Sequence, residues 1–196
     1  MMFNNIFATY LYSKKLDINL TSLKKHILQT QRNDEKGVHL SNLGGWQSQG
    51  FKNPMSSNKS LFKSLDLIAK EIKDTVGYTY DLELNHYWYN INYSGSYNIP
   101  HSHVGLKNDN IISGVFYVET FPNSGRLVFN RNNPLISVMH ATDKSYNEYN
   151  SSMWNVAPYD NLCVLFPAHL QHYVETNLNT SDRFSISFNY SKKNTK

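Results

Sequence analysis

The stretch "YDLELNHYWYNINYSGSYNIPHSHVGLKNDNIISGVFYVET", residues 80–120, places two histidines between two segments that are typical of β-strands. Residues 80–93 alternate and are rich in aromatic side chains, and residues 112–120 form an apolar run that is typical of a buried strand. Further strand-like segments follow at 125–130, 161–167 and 183–190. From residue 78 onward the sequence therefore predicts an antiparallel sheet or barrel.

Helices are predicted before this β-rich part. "TSLKKHILQTQ", residues 21–31, has apolar residues at helical spacing, and Thr21 or Ser22 is available as its N-cap. A second helix is predicted from an apolar stripe at steps of three and four residues, with Gly77 as its stop: Leu61, Leu65, Ile68, Ile72 and Val76. A first strand is also predicted at 6–12. Helices followed by strands indicate an α+β protein, with the helices packed on one face of the sheet.

The chain of 196 residues is long enough for one well-cored domain and short for two. We find no internal repeat and no linker rich in Pro, Gly or Ser. We therefore expect a single domain over 1–196, with a helical part at about 1–77 and a β-rich core at about 78–190. The long polar connection between Asn130 and Pro158 is predicted to be a surface excursion or lid.

Composition and charge exclude several classes of protein. The net charge of +4 owes much to Lys14-Lys15 and to the basic C-terminal residues 192–196, so nucleic acid is not the favoured partner. The single cysteine, Cys163, rules out a disulfide framework and suits a reducing compartment. Neither a signal peptide nor a membrane-spanning apolar run is predicted. We expect a soluble cytoplasmic protein.

His101 and His103 are the first candidate metal ligands. Residues i and i+2 of an extended segment point to the same side, so both imidazoles can aim at one point. Taken alone, the pair can equally be exposed or hydrogen-bonded to loop backbone. A third ligand must come from elsewhere, and His172, after the apolar run 161–167, is favoured over His169, which we expect to be structural.

Arg183 is the candidate anion-binding residue. In "RFSIS" strict alternation places Arg183, Ser185 and Ser187 on one face of a strand. A guanidinium on an inner face is costly unless an anion pairs with it, and its planar fork matches a carboxylate. The alternative is a structural ion pair with an Asp or Glu.

Together these features form an ordered set: H-x-H, a distal His and then R-x-S. The set resembles the jelly-roll Fe(II)/2-oxoglutarate oxygenases, whose usual pattern is H-x-D/E, a distal His and an Arg about ten residues on. "YSGSYNIPHSH", residues 93–103, is similar to the corresponding region of prolyl-4-hydroxylase-like members, with Tyr93, Gly95 and Tyr97 before the pair. The segments "SNLGGWQS" (41–48), "LFPAHLQH" (165–172) and "RFSISFN" (183–189) resemble a branch of the family found in marine bacteria and their phages.

The resemblance implies a double-stranded β-helix core, also called a jelly roll or cupin-like fold. It implies that His101, His103 and His172 hold Fe(II), which leaves positions for the cosubstrate 2-oxoglutarate and for O2. It also implies that Arg183 binds the far carboxylate of 2-oxoglutarate, assisted by Ser185 or Tyr93. No further catalytic residue is predicted beyond the metal centre.

His103 stands where the family pattern has a carboxylate, and three readings stay open. All three histidines can be ligands, which we favour, because three-His non-haem iron sites exist. Alternatively, His103 lies outside the first coordination sphere and water completes the site. In the third reading His103 is the first ligand and Gly105 stands at the vacant position.

The leading functional interpretation is an Fe(II)- and 2-oxoglutarate-dependent oxygenase, a hydroxylase that couples decarboxylation of 2-oxoglutarate to succinate with oxidation of a substrate. One alternative is a three-His iron dioxygenase that does not use 2-oxoglutarate. Another is a non-catalytic jelly-roll binding module. The expected substrate is a protein side chain or a small metabolite, and a homodimer is compatible with the sequence.

Overall fold

Two antiparallel sheets with helices on one side make up the fold. The computed structural model describes residues 8–105, 109–131, 133, 135 and 145–193. Within these ranges we number the helices α1 (Leu20–Asn33) and α2 (Lys59–Val76). In chain order the strands are β1 (Tyr12–Lys15), β2 (Asn42–Leu43), β3 (Trp46–Gln47), β4 (Leu82–Asn92), β5 (Tyr97–His101), β6 (Asn110–Glu119), β7 (Leu127–Asn130), β8 (Met153–Val156), β9 (Leu162–Pro167), β10 (His172–Val174) and β11 (Arg183–Lys192).

The strands form a double-stranded β-helix. The larger sheet has the order β1-β9-β6-β11-β4-β3, and the smaller sheet has the order β2-β5-β10-β7-β8. Neighbouring strands in these orders pair antiparallel. Strands that are distant in sequence lie side by side, as in a jelly roll. The predicted α+β class with a jelly-roll core is therefore confirmed.

Both helices pack on the outer face of the larger sheet, where α1 contacts β6 and α2 contacts β4. The predicted stripe of α2 is buried from Leu61 to Ile72, whereas Val76, its last member, is exposed at the helix end. The helix stops at Gly77, whose φ of 83° is the left-handed conformation that glycine adopts most easily. The buried stripe joins aromatic side chains of β4 and β11 in one hydrophobic core.

The start of α1 differs from the prediction. Its N-cap is Asn19, whose Oδ1 accepts a hydrogen bond from Ser22 N at 3.2 Å, and not Thr21 or Ser22. Asn and Ser are about equally favourable as N-caps, and the helix therefore begins at Leu20, earlier than the sequence predicted. Among the described residues, no helix is both long and apolar enough to cross a membrane.

β11 lies at the centre of the larger sheet, paired with β4 on one side and β6 on the other. Its alternate residues Phe184, Ile186 and Phe188 belong to the core beneath the helices. The residues that alternate with them face the space between the two sheets: Arg183, Ser185 and Ser187. One face of β11 therefore packs in the hydrophobic core, and its other face lines an internal cavity.

Several short strands were not predicted from the sequence. The segment expected at 6–12 forms a strand only from Tyr12 to Lys15, and residues 6 and 7 lie outside the described residues. β2, β3, β5 and β10 span two to five residues each. The H-x-H pair was expected at the start of the following strand, but His101 ends β5 and His103 lies beyond it. Part of the excursion at 130–158 is β8, a largely exposed strand that pairs with β7.

Candidate metal and cosubstrate site

Three histidines from neighbouring parts of the smaller sheet converge at one point. His101 is the last residue of β5 and His172 is the first of β10, and the two are direct partners in the antiparallel register. The backbone of His103 is fixed just beyond β5, since its N–H donates to Ala168 O at 2.9 Å and its carbonyl accepts from Asn110 Nδ2 at 2.8 Å. One ring nitrogen from each histidine lies within 4.8 Å of the others. The structure thus brings together the three histidines that the sequence singled out.

Hydrogen bonds to backbone carbonyls orient two of these imidazoles. His101 Nδ1 lies 2.7 Å from Ile99 O, and His172 Nδ1 lies 2.9 Å from Leu170 O. A carbonyl only accepts, so each Nδ1 carries the proton and each Nε2 keeps its lone pair free. His172 Nε2 lies 3.3 Å from His103 Nε2. Imidazoles that ligate metals are commonly oriented by a hydrogen bond from the other ring nitrogen in this way.

The histidines are held in the neutral form. Burial, with a smaller contribution from the neighbouring imidazoles, lowers the pKa of His103 to about 2 and that of His172 to about 4. Burial also lowers the pKa of His101, although the hydrogen bond to Ile99 opposes this effect. Only a neutral imidazole offers a lone pair to a metal, so the group is ready to bind a cation at neutral pH.

Arg183 is a buried cation that has no carboxylate partner among the described residues. Its Nη1 donates to Ser124 O at 3.0 Å and to Gly125 O at 2.8 Å. Its buried Nε has no hydrogen-bond partner among the residues that the structure describes. The guanidinium carbon lies 5.8 Å from the centre of the Tyr117 ring, and burial lowers the pKa of the group. The structural ion pair that the sequence left open is not found within the described part of the chain.

The three histidines and Arg183 line one cavity between the sheets. Its volume is about 60 Å³, and Ser185 and Ser187 of β11 also line it. This is about the volume of two water molecules, so lining side chains must move apart before a dicarboxylate enters. The cavity also contains amide side chains from β4 and β5, namely Asn90, Asn92 and Asn98.

The residues present suit a divalent metal together with an anionic chelator. Three imidazole nitrogens leave coordination positions open for other ligands, as in non-haem iron sites. At the opposite end of the cavity, the buried Nε without a partner offers a donor to a carboxylate, which a guanidinium can bind through two parallel hydrogen bonds. Burying this cation costs free energy that an anion would offset.

Tyr93, the alternative to Ser185 as a partner of 2-oxoglutarate, is not among the described residues that line this cavity. Its hydroxyl accepts a hydrogen bond from Gln31 Nε2 of α1 at 2.7 Å, and its ring packs against the core beneath the helices. The alternation of β4 explains this position, since it directs Trp88, Asn90 and Asn92 to the cavity and Tyr87, Tyr89 and Ile91 to the helices. Tyr93 continues the helix-facing side.

His169, the competitor to His172, is exposed and lies outside the histidine group. It belongs to the turn between β9 and β10, three residues before His172. The cavity residue Ser41 was not predicted as part of the site. Its Oγ lies 3.5 Å from His101 Nε2, although 60 residues separate the two in sequence. The only sequence signal for Ser41 was the family resemblance of the segment 41–48, which did not assign a role to any of its residues.

A jelly roll with three histidines converging between its sheets is an arrangement that can hold a metal ion. Residues 86–189 match the family described as "Putative 2OG-Fe(II) oxygenase". The chain belongs to this family of 2-oxoglutarate/Fe(II)-dependent dioxygenases, which are oxidoreductases. Fe(II) is accordingly its metal and 2-oxoglutarate its cosubstrate. No curated protein matches the sequence.

Solved structures show the same fold at low sequence identity. A prolyl-4-hydroxylase from Pseudomonas putida is 12% identical, with a TM-score of 0.66 over 94% of this chain and 93% of that one. A prolyl hydroxylase from Trichoplax adhaerens, in complex with a hypoxia inducible factor peptide fragment, is 14% identical, with a TM-score of 0.68 over 93% and 83%. HygX from Streptomyces hygroscopicus, with nickel and 2-oxoglutarate bound, is 13% identical, with a TM-score of 0.59 over 94% and 84%.

Proposed function

We propose that the protein is a hydroxylase whose metal is held by His101, His103 and His172. The observation that carries the proposal is the placement of the histidine group and the unpaired Arg183 in one cavity. Fe(II) with 2-oxoglutarate activates O2, so that one oxygen atom goes to succinate and the other to the substrate, with release of CO2. The protein holds and orients these partners.

Each residue of the site has a distinct task in this proposal. The three imidazoles bind the metal as neutral ligands, and the carbonyls of Ile99 and Leu170 keep two of the rings oriented. Arg183 pairs with the far carboxylate of 2-oxoglutarate through Nε, while Ser124 O and Gly125 O hold Nη1 in place. Ser185, on the same face of β11, adds a hydroxyl beside the guanidinium.

A three-imidazole centre is about one charge more positive than the family's usual two-histidine, one-carboxylate centre. An anionic chelator is correspondingly more strongly attracted to it. This charge supports 2-oxoglutarate as a direct ligand of the metal in the absence of an Asp. The same charge should alter the affinity for Fe(II) and the reactivity of the metal.

The test is an anaerobic titration of the metal-free protein with Fe(II) and then with 2-oxoglutarate, followed by visible spectroscopy. We expect the charge-transfer band of the chelate only when both are present, and its loss in His172→Ala. His169→Ala is the matched control and should retain the band, because His169 is exposed and outside the group. Iron binding without the band would favour a dioxygenase that does not use 2-oxoglutarate, and no iron binding would favour a binding module.

The substrate is proposed to be a protein side chain or a small metabolite, and a homodimer is also a proposal. The prolyl hydroxylase of Trichoplax adhaerens, which binds a peptide fragment, supports a peptide among the candidates. We also propose a single domain over 1–196 that acts in the cytoplasm, where its one cysteine, the buried Cys163, stays reduced.

A further inference from the structure

Ser41 occupies a position beside the histidine group that the proposed function does not use. It precedes β2, and its carbonyl accepts a hydrogen bond from Ile99 N at 2.9 Å, which ties it to β5 next to His101. Its Oγ lies 3.5 Å from His101 Nε2 and lines the cavity. Since Nδ1 of His101 carries the proton, Nε2 is an acceptor and the hydroxyl of Ser41 is the donor.

The segment 41–48, which carries Ser41 and joins β2 of the smaller sheet to β3 of the larger sheet, is fixed by its own polar contacts. Asn42 is buried, and its side chain accepts from Leu40 N and donates to Val38 O and Gly45 O. Gly44 lies between β2 and β3 and has a φ of 76°, which glycine tolerates best. A side chain at Gly45 would meet Ile91 O at 2.8 Å. The segment 41–48 therefore places the Ser41 hydroxyl at a defined point of the cavity wall.

A chain of hydrogen bonds leads from Ser41 toward Arg183. Asn98 Nδ2 donates to Ser41 Oγ at 3.3 Å, and Asn92 Nδ2 donates to Asn98 Oδ1 at 3.2 Å. Asn92 is the direct partner of Arg183 in the register of β4 and β11. The chain thus begins at a histidine of the metal group and ends opposite the guanidinium. All of its members line the cavity.

A metal bound to His101 would take the lone pair that the Ser41 hydroxyl now faces. The hydroxyl already accepts a hydrogen bond from Asn98, so its proton is free to turn to another acceptor. The Ser41 hydroxyl therefore lies next to the nitrogen that would bind the metal, where it can donate to an oxygen atom of another ligand on that metal.

We propose that Ser41 donates a hydrogen bond to the metal-chelating carboxylate of 2-oxoglutarate, and that Asn98 and Asn92 line the path from the metal to Arg183. This inference rests on the proposed function and assigns Ser41 as a binding residue for one end of the cosubstrate. The direction of the chain, from His101 to the position opposite Arg183, favours the cosubstrate over O2 as the partner of Ser41.

The experiment measures anaerobic binding of two probes to the Fe(II)-loaded protein by calorimetry. 2-Oxoglutarate contacts both ends of the cavity, whereas oxalate chelates a metal and has no distal carboxylate for Arg183. We expect Ser41→Ala to weaken both probes about tenfold, as for the loss of one hydrogen bond to a charged group. Ser41→Thr keeps the hydroxyl and should restore binding of both to within about threefold.

Controls separate a binding role from a structural one. Leu43→Ala alters an exposed side chain of the same segment and should leave both affinities within about twofold of the wild type. Arg183→Met should weaken 2-oxoglutarate but not oxalate. Unchanged binding of both probes in Ser41→Ala would overturn the inference, as would a loss confined to 2-oxoglutarate or a loss of Fe(II) itself. A wild-type protein that binds Fe(II) but not 2-oxoglutarate would instead overturn the proposed function.

Discussion

At the scale of single residues, Arg183 gives the most direct link between burial and function. Only 2% of it is exposed, yet within the described part of the chain it meets backbone carbonyls and an aromatic ring instead of a carboxylate. Burying a cation in this way costs free energy that those contacts offset only in part. An anionic ligand that pairs with the guanidinium is the simplest physical reason for a buried arginine at this position.

Replacing Arg183 by Met should raise the dissociation constant of 2-oxoglutarate about 100-fold, because the ion pair with the far carboxylate and the charge-assisted hydrogen bond from Nε are lost. The affinity for Fe(II) should stay within about twofold, because the side chain does not reach the histidine group. Arg126→Met is the matched control, since Arg126 is close in the fold but pairs with Glu175 at the surface. Equal affinities for 2-oxoglutarate in Arg183→Met and Arg126→Met would contradict the assigned role.

His103 separates the two readings of the metal site in which it binds the metal from the one in which it does not. If it is a ligand, His103→Ala should weaken Fe(II) binding at least 100-fold, a loss of about 3 kcal/mol. His103→Asp should restore tight binding, because a carboxylate stands at this position in the family pattern and adds a negative charge. Fe(II) affinity measured by competition with a chromophoric chelator tests both variants. Wild-type affinity in His103→Ala would mean that His103 lies outside the coordination sphere.

The residue-scale predictions succeeded where a side chain's face follows from strand alternation. Arg183, Ser185 and Ser187 could be placed on the cavity face because β11 keeps a period of two. Tyr93 was assigned to the site from the family resemblance alone, whereas the alternation of the preceding β4 continues to direct it toward the helices. Ser41 could not be found, because its contact with His101 joins residues far apart in sequence through the pairing of β2 and β5.

At the scale of elements, the long ones were predictable and the short ones were not. α2, β4, β6 and β11 have ten or more residues and show their period in the sequence. β5 and β10 have five and three residues and exist because each pairs with neighbours on both sides. The strands that carry His101 and His172 therefore owe their conformation to the assembled sheet.

The turn before β7 should be sensitive to substitution at Gly125. Its φ is 89°, and a Cβ would lie 2.2 Å from Glu175 O and 3.4 Å from Arg183 Nη1. Gly125→Ala should lower the free energy of unfolding by more than about 2 kcal/mol and weaken 2-oxoglutarate binding.

Gly95→Ala is the matched control, because Gly95 also has a positive φ, 81°, but nothing lies within 4 Å of its added Cβ. Gly95→Ala should lower the free energy of unfolding only by the backbone strain, about 1 kcal/mol. Urea unfolding of the two variants gives the comparison. Equal losses of stability would show that the contact with Glu175 O is relieved by a shift of the backbone.

At the scale of the whole molecule, the larger sheet separates two environments. Its outer face packs against the helices with aromatic and aliphatic side chains, and its inner face lines a cavity with hydroxyl, amide and guanidinium groups. The sequence pattern predicted the two faces and the α+β class. It could not predict the pairing order of the strands from composition or period, and the family resemblance supplied that part of the fold.

Acidification should destabilise the metal-free protein between pH 7 and pH 5. His172 has a pKa of about 4 in the folded protein against 6.5 in the unfolded chain, so the unfolded chain binds more protons in this range. Stability is therefore full above pH 6.5 and is lost as the pH falls toward the folded-state pKa. For this histidine alone the loss between pH 7 and pH 5 is about 2 kcal/mol.

Urea unfolding at the two pH values measures this effect. The drop in stability should be about 2 kcal/mol smaller in His172→Asn, whose amide can still donate to Leu170 O but does not titrate. An unfolding free energy that stays constant from pH 7 to pH 5 in the wild type would contradict the burial of neutral imidazoles.

The most direct test of the three-histidine centre is anomalous diffraction at the iron edge. Crystals would be grown without oxygen in the presence of Fe(II) and 2-oxoglutarate. We predict one iron peak bonded to Nε2 of His101 and His172 and to a ring nitrogen of His103, with the cosubstrate extending from the metal to Arg183. An iron peak that lacks any one of the three histidines as a ligand, or a cosubstrate whose far carboxylate does not meet Arg183, would contradict this account.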